Sequence, residues 1–368
     1  MKYNFYIDPD ITKAETLPGI FYRDRNIFER LKEKVFMQTW QWAGDEDCIP
    51  HGAFAYPFTL LEGFLEEPMV LVRDEAGHLR CLSNVCTHRA NLVVQRPGKL
   101  QKLVCLYHGR RFDLAGRFEF MPEFGEAMDF PRPCEDLHEF MLAQWGPFIF
   151  TGPEPAFRLD KIIAKINERV GFLPLETFRY DAEKSKDYTV DAHWALYCDN
   201  YLEGFHIPYV HKRLNDVLHY GNYATLIDDY FVLQIGYSDG HDEVFDLPEG
   251  HVDIGQKVAA YYYWIFPNLM FNFYPWGLSV NIVKPQSIDR TRVSFLTYVY
   301  DQSKLDKGAG ASLDRVEQED ELIVESVQTG VGSRYYGTGR FSPEREQGVH
   351  HFHRLLARFL TADQVPRH

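Results

Sequence analysis

Apolar positions change their period several times along the chain. Over 25–43, "RNIFERLKEKVFMQTWQWA", Ile27, Leu31, Val35 and Phe36 recur near helical spacing and predict an amphipathic helix. From about 52 to 155 the pattern becomes short strands between Gly and Pro turns. "EPMVLVRDEAGHLRCLSNVC" predicts a hairpin turning at Gly77, and "RRFDLAGRFEFMP" another at Gly116. "WGPFIFTGPEP", 145–155, reads as a last strand running into a linker. Helical signal returns over 159–171 and 193–205, β-rich segments fill 222–300, and 312–330 and 343–360 are helical again. No segment repeats. This order predicts an α+β chain with a small all-β domain, 45–155, inserted between a helical N-terminal part, 1–44, and the larger domain, 156–368, to which that part belongs.

Composition narrows the function classes. A length of 368 residues suits two domains, and 45% hydrophobic with 25% charged residues is ordinary for a globular protein. A formal net charge of -14 argues against a nucleic-acid partner, since phosphate binding needs clustered Lys and Arg. The first residues, "MKYNFYIDPDITK", contain no apolar signal region, and no window reaches 18 uninterrupted apolar residues. A cytoplasmic protein without membrane spans is expected. Six cysteines in a chain this long make no disulfide scaffold; in a reducing compartment, closely spaced Cys and His point to metal.

Two Cys–His pairs share the window 83–118, with unequal spacings: Cys86-x-His88 and Cys105-x-x-His108. Structural zinc takes four tetrahedral ligands, commonly from C-x2-4-C knuckles. Here each loop supplies one Cys and one His, which suits a [2Fe-2S] centre with one iron held by two cysteines and the other by two histidines. A Cys2His2 zinc site, or a chance grouping, is the alternative. Cys81 and Cys134 fit no ligand spacing and read as small core residues.

"CTHRA" followed by "CLYHGRRFDLAGRF" resembles the C-x-H…C-x2-H motif of Rieske non-haem iron oxygenase α subunits. The resemblance implies that Cys86 and Cys105 bind one iron and His88 and His108 the other. Two positions depart from the motif of many relatives: Leu106 stands where they have Pro, and Arg110 where they have Trp. The implied fold is an all-β Rieske domain inserted in a helix-grip catalytic domain, an antiparallel sheet with helices.

An oxygenase needs a second metal. "HWALYCDNYLEGFHIPYVHKRL", 193–214, offers Asp199, Glu203, His206 and His211, and non-haem Fe(II) is commonly held by two His and one carboxylate. Residues five apart lie on different faces of a regular helix. His206 and His211 can therefore share a metal only where the backbone departs from one, and Pro208 lies between them. "VEQEDELIVESVQTG", 316–330, carries Glu317, Glu319, Asp320, Glu321 and Glu325, and by itself reads as a solvated acidic helix face. The family pattern N-x-x-[D/E]-x-x-H-x4-H matches Asn200, Glu203, His206 and His211, and its later acidic segment nominates Asp320 as third ligand. The resemblance makes Glu203 an acidic bridge towards His108 of a neighbouring subunit in a homotrimer, and Asn200 a residue beside the metal. It also implies a mononuclear Fe(II), O2, a small-molecule substrate, and a separate flavin/iron-sulfur reductase drawing on NAD(P)H.

Nine aromatics fall within residues 261–276: Tyr261, Tyr262, Tyr263, Trp264, Phe266, Phe271, Phe273, Tyr274 and Trp276. They suit a bulky sheet core or a cage for a quaternary ammonium group, which aromatic faces attract. Glu rather than Asp at 203, with "CDNYLE", resembles the subgroup acting on choline, glycine betaine and carnitine. Three readings follow: an oxygenase hydroxylating or N-demethylating a small quaternary ammonium or N-methylated molecule; the same machinery on an aromatic ring or carboxylate; or a non-enzymatic electron carrier or zinc module.

Overall fold

The computed structural model describes residues 5–210, 223–238, 240, 243–305, 307 and 313–362. Two compact units make up the chain, one of Met1–Phe36 with Ala156–His368, the other of Met37–Pro155. The first helix, α1 (Arg25–Lys34), starts where the Asp24 side chain accepts the backbone N–H groups of Asn26 (2.8 Å) and Ile27 (3.2 Å). Its apolar face, Ile27, Phe28 and Leu31, is buried. The helix is shorter than its hydrophobic period predicts. After Val35 the chain tightens into a 3-10 turn and then extends, because 41–45 pairs with a strand from the far end of its unit.

In the unit Met37–Pro155 the strands are β1 (Gln41–Asp45), β2 (Phe54–Leu60), β3 (Glu67–Arg73), β4 (Leu79–Ser83), β5 (Gly98–Lys99), β6 (Leu103–Val104), β7 (Arg111–Phe112), β8 (Phe118–Phe120), β9 (Glu139–Trp145) and β10 (Phe148–Gly152). Seven form a sheet in the order β1-β10-β9-β4-β3-β2-β5, and β6-β7-β8 form a second. Both predicted hairpins are present, with Gly77 at φ +88 and Gly116 at φ +80, a left-handed backbone that favours glycine. Alternate residues Val70 and Val72 of β3 face a core with Leu82, Leu103, Phe112 and both Cys86 and Cys105. Cys81 is buried beside Met69, but Cys134 is exposed, contrary to the core position expected for it. It falls on the short turn Pro133–Glu135, where the neighbouring Glu135 side chain takes the buried position.

In the other unit the strands are β11 (Arg179–Val190), β12 (Tyr223–Ile227), β13 (Phe231–Tyr237), β14 (Val258–Ile265), β15 (Leu269–Tyr274), β16 (Gly277–Ser287) and β17 (Arg290–Val299). They form an antiparallel sheet in the order β11-β17-β16-β15-β14-β13-β12. Six of its strands are thus consecutive in sequence and joined as hairpins, with β11 added beside β17. The helices after α1 are α2 (Leu159–Val170), α3 (Trp194–Tyr201), α4 (Ile207–Val210), α5 (Leu313–Val331) and α6 (Gln347–Thr361). α3 packs on β16, α5 and α6, so a sheet strand and two helices enclose its side chains. Among the described residues no helix is long and apolar enough to cross a membrane.

Candidate metal centres and substrate cavity

The two Cys–His loops of the β unit share one backbone frame. Cys86 N donates to Asn91 O (2.9 Å) and Ala90 N to Cys86 O (2.9 Å). Cys105 N likewise donates to Arg110 O (2.9 Å) and Gly109 N to Cys105 O (2.9 Å). Each loop turns through a left-handed residue four places after its cysteine, Ala90 at φ +56 and Gly109 at φ +74. The backbone amides of His88 and Arg89 stabilise a negative charge on Cys86, and those of Tyr107 and His108 do so on Cys105. Such donors favour thiolate. Burial pushes both thiols up, but for Cys105 it is outweighed by the Tyr107 amide, the Cys86 thiol and Asn91 Nδ2 at 3.5 Å, which hold it below its ordinary value.

Across the loops the two thiols influence each other's ionisation, and the rings of His88 and His108 lie with centroids 4.8 Å apart. His108 Nδ1 is buried without a hydrogen-bond partner. Two sulfurs paired on one side and two imidazoles on the other, one with an orphaned ring nitrogen, fit a two-iron cluster of mixed ligation.

In the other unit α3 ends at Tyr201, and the chain re-enters a helix at Ile207. Among the described residues the chain departs from regular helix at 202–205, before His206; the expected departure between His206 and His211 reaches outside the described residues. Glu203 brings about the break at 202–205 by accepting the backbone N–H groups of Phe205 and His206. Pro208 occupies the first turn of α4, where its missing N–H costs nothing. The other Glu203 oxygen lies 2.7 Å from His206 Nδ1, which places the ring proton there and leaves Nε2 free of it. Nε2 points at Asp320 Oδ1 (3.4 Å), and Asn200 Nδ2 donates to the same oxygen (2.8 Å). The structure thus brings Asn200, Glu203, His206 and Asp320 together; His211 lies outside the described residues. A histidine nitrogen and a carboxylate facing one space are two donors of the set that ferrous iron commonly takes.

Asp199 is a bystander to that space. Its Oδ1 faces His353 Nε2 (2.9 Å), and its Oδ2 accepts Tyr22 OH (3.0 Å). Leu17 N donates to His353 Nδ1 (3.0 Å), so the imidazole proton sits on Nε2 and points at Asp199. This network anchors α3 from behind.

A cavity of about 140 Å³ opens over His206 and Asp320. Its floor is a row of residues directly opposed across four strands, Gln234, Tyr262, Asn272 and Ser279. Tyr262 and Tyr274 are the members of the aromatic run that line it, joined by Tyr197, Tyr201 and Tyr223 from elsewhere in the fold. Tyr201 OH donates to Asn272 Oδ1 (2.6 Å), and Tyr262 meets Tyr274 edge to face at 5.9 Å. Burial pushes the phenols of Tyr197, Tyr201, Tyr223 and Tyr274 far up, so they stay neutral. Trp264 and Phe266 instead pack on Phe352 of α6.

The acidic run is not a solvated face throughout. Glu317 is 4% exposed and lines the cavity, with Oε2 accepting Tyr197 OH (2.7 Å) and Oε1 buried without a partner. Burial pushes its carboxyl well up, the nearby carboxylates Asp320 and Glu321 add to this, and the Tyr197 hydrogen bond opposes it. Glu325 and Gln328 accept the backbone N–H groups of Asp191 (3.0 Å) and His193 (2.9 Å), tying α5 to the start of α3.

Residues 39–132 match the Rieske [2Fe-2S] domain, and 175–362 match the ring hydroxylating alpha subunit (catalytic domain). The chain belongs to the Rieske ring-hydroxylating oxygenase α-subunit family. Such oxygenases are oxidoreductases with a Rieske cluster and a mononuclear iron, fed with electrons by a separate reductase. This oxygenase is 32% identical to the chloroplastic choline monooxygenase of Arabidopsis thaliana over 95% of its own chain and 84% of that protein. It is 28% identical to the carnitine monooxygenase oxygenase subunit of Escherichia coli (strain K12), over 96% of each chain. Among solved structures, a quaternary ammonium Rieske monooxygenase in complex with L-carnitine superposes with a TM-score of 0.75 at 22% identity, covering 96% of this chain and 97% of that one. Naphthalene 1,2-dioxygenase from Rhodococcus sp. shares the fold as well, with a TM-score of 0.71 at 17% identity over 95% of each chain.

Proposed function

We propose that this oxygenase hydroxylates or N-demethylates a small quaternary ammonium or N-methylated substrate. The observation that carries this is the cavity lining. Five tyrosines and three carboxyl groups, Glu203, Glu317 and Asp320, surround it, and no Lys or Arg is among its described lining residues. Neutral tyrosine faces attract an onium group, by roughly 0.5–2 kcal/mol each, and the carboxyl oxygens face it with partial negative charge. An anionic aromatic carboxylate would find no described cationic partner. The similarity to choline and carnitine monooxygenases supports the same reading.

In this proposal Cys86 and Cys105 hold one iron of the cluster and His88 and His108 the other. His206, Asp320 and His211 hold the mononuclear iron, which supplies O2 activation when bound. This chain's own residues do the positioning. Glu203 keeps the His206 proton on Nδ1, Asn200 orients Asp320, and the tyrosines exclude water and seat the onium group. Hydroxylation of an N-methyl group uses O2, two electrons and two protons and yields water with the N-hydroxymethyl product. That product loses formaldehyde and a proton to leave the demethylated amine. We also propose that a flavin/iron-sulfur reductase passes electrons from NAD(P)H, that the oxygenase works as a cytoplasmic homotrimer, and that Glu203 bridges towards His108 of a neighbouring subunit.

The test is a substrate panel with reductase and NADH: choline, glycine betaine, carnitine, benzoate and naphthalene. Formaldehyde or an oxidised alcohol from an onium compound, coupled to O2 uptake, is expected. Hydroxylated benzoate or naphthalene with inert onium compounds would replace this reading by an aromatic one. Asp320→Ala is expected to abolish turnover while leaving the visible spectrum of the cluster intact.

A further inference from the structure

Arg110, where the sequence departs from the family motif, is one of the largest fully buried side chains of the molecule, 1% exposed. Its Nη2 donates to Glu135 Oε2 (2.6 Å) and to the Glu135 carbonyl oxygen (3.2 Å). Its guanidinium carbon lies 4.7 Å from the centre of the Phe118 ring, with Phe112 at 5.6 Å and Phe130 at 5.7 Å. Its Nε is buried without a partner. Glu135 is itself buried and also accepts from Arg132 Nε (3.2 Å) and Nη2 (3.1 Å). The Arg110 hydrogen bond is the chief cause holding the Glu135 carboxyl below its ordinary value, so the pair is ionic.

A buried ion pair with an unpaired Nε is an expensive way to stabilise a core; apolar side chains of similar volume usually do as well or better. What distinguishes this pair is its position between the two ligand loops. The Arg110 carbonyl accepts Cys105 N (2.9 Å) and so closes the second loop. The Glu135 carbonyl accepts Thr87 Oγ1 (2.8 Å) from between Cys86 and His88 in the first. The buried Arg110 guanidinium and Glu135 carboxylate thus set two opposite charges in a poorly screened interior behind both loops, while Arg132, the other partner of the carboxylate, is largely exposed to solvent.

We propose that Arg110 and Glu135 are positioning residues that set the reduction potential of the cluster held by Cys86, His88, Cys105 and His108. Reduction adds one negative charge to the cluster. A fixed cation behind the loops favours the reduced state and a fixed anion disfavours it, so the two side chains shift the potential in opposite directions. The inference rests on the ligand assignment and is independent of the substrate.

The experiment is a redox titration of the full-length, cluster-loaded protein, followed by visible circular dichroism and electron paramagnetic resonance. Arg110→Gln is expected to lower the potential and Glu135→Gln to raise it. The double variant should fall between them, and Arg110→Lys should stay near the parent. A role in loop geometry alone would change the spectra of both single variants and move their potentials the same way or not at all, which would overturn the proposal. If Arg110→Gln fails to hold a cluster, the near-isosteric Glu135→Gln decides by itself. A raised potential supports the proposal; an unchanged or lowered one overturns it.

Discussion

Glu317 and Asp320 stand three residues apart on α5 and face the same cavity, yet their surroundings differ. Asp320 is met by Asn200 and His206, whereas Glu317 has a phenol on one oxygen and nothing described on the other. A cation in the cavity would oppose the upward push of burial, favour the ionised carboxylate and pair with that second oxygen, whereas Gln at 317 could still accept from Tyr197 but carries no charge. Glu317→Gln should therefore weaken binding of choline about tenfold, roughly 1.4 kcal/mol, and leave its uncharged isostere 3,3-dimethylbutan-1-ol nearly unaffected in calorimetric titration. Equal losses for both ligands would mean that Glu317 shapes the cavity and does not contribute charge. Glu203→Gln keeps an oxygen for His206 Nδ1, so all irons should remain bound while single-turnover oxidation of the cluster slows. Loss of the cluster spectrum would refute that role. At this scale, legibility followed chemical rarity. Two Cys–His pairs in one short window are scarce enough to stand out, but a carboxylate in an acidic helix is not. Asp320 was reachable through family resemblance, while Glu317 required knowing which face of α5 the sheet covers. Cys134 shows the converse, a residue type usually buried that a charged turn leaves exposed.

Elements were legible where their own pattern was decisive, and less so where a partner decided. The hairpins at Gly77 and Gly116 carry their turn chemistry locally. The stretch 41–43 reads as a continuation of α1 until β10 is there to pair with it. The common frame of the two Cys–His loops was hidden for a similar reason. Its hydrogen bonds are backbone to backbone, and the left-handed residue is Gly in one loop and Ala in the other. The break after α3 depends on α6 as well as on Glu203. A Cβ at Gly348 would collide with the Leu202 carbonyl oxygen, at the point where α3 ends. Gly348→Ala must push that turn, and His206 with it, away from α6. Overpacking of this kind costs about 1–3 kcal/mol. The expected result is a lower thermal midpoint and substoichiometric mononuclear iron, with the cluster spectrum unchanged. Full occupancy of both centres would show that α6 yields instead. Asp24→Ala removes an N-cap and should cost about 0.5–2 kcal/mol by denaturant titration, without loss of either centre.

At the scale of the molecule, stability should depend on pH through histidines that the chemistry does not use. His193 lies among Phe21, Tyr22 and Phe28 and caps α3 through Nδ1, which accepts Ala195 N (3.2 Å). Burial holds its imidazole down to about 3, and burial followed by the nearby Arg354 and Arg358 holds His351 down to about 4. In the unfolded chain both titrate near 6.5. Between those limits the unfolded state takes up protons that the folded state refuses. Stability is therefore present above about pH 6.5 and is lost as pH falls, at about 1.4 kcal/mol per pH unit for each histidine. Glu317 acts with the opposite sign. Its raised carboxyl binds a proton more readily when folded, so it adds stability as pH falls and offsets part of the loss. The net slope thus mixes contributions, and a substitution is needed to separate them. His193→Asn keeps a side-chain oxygen to accept Ala195 N but has no proton to gain. Urea unfolding at pH 6.5 and pH 5.0 should show wild type losing about 2 kcal/mol more than the variant over that interval. Equal losses would mean that His193 takes up its proton without leaving its pocket, and that the acid sensitivity of this unit arises elsewhere.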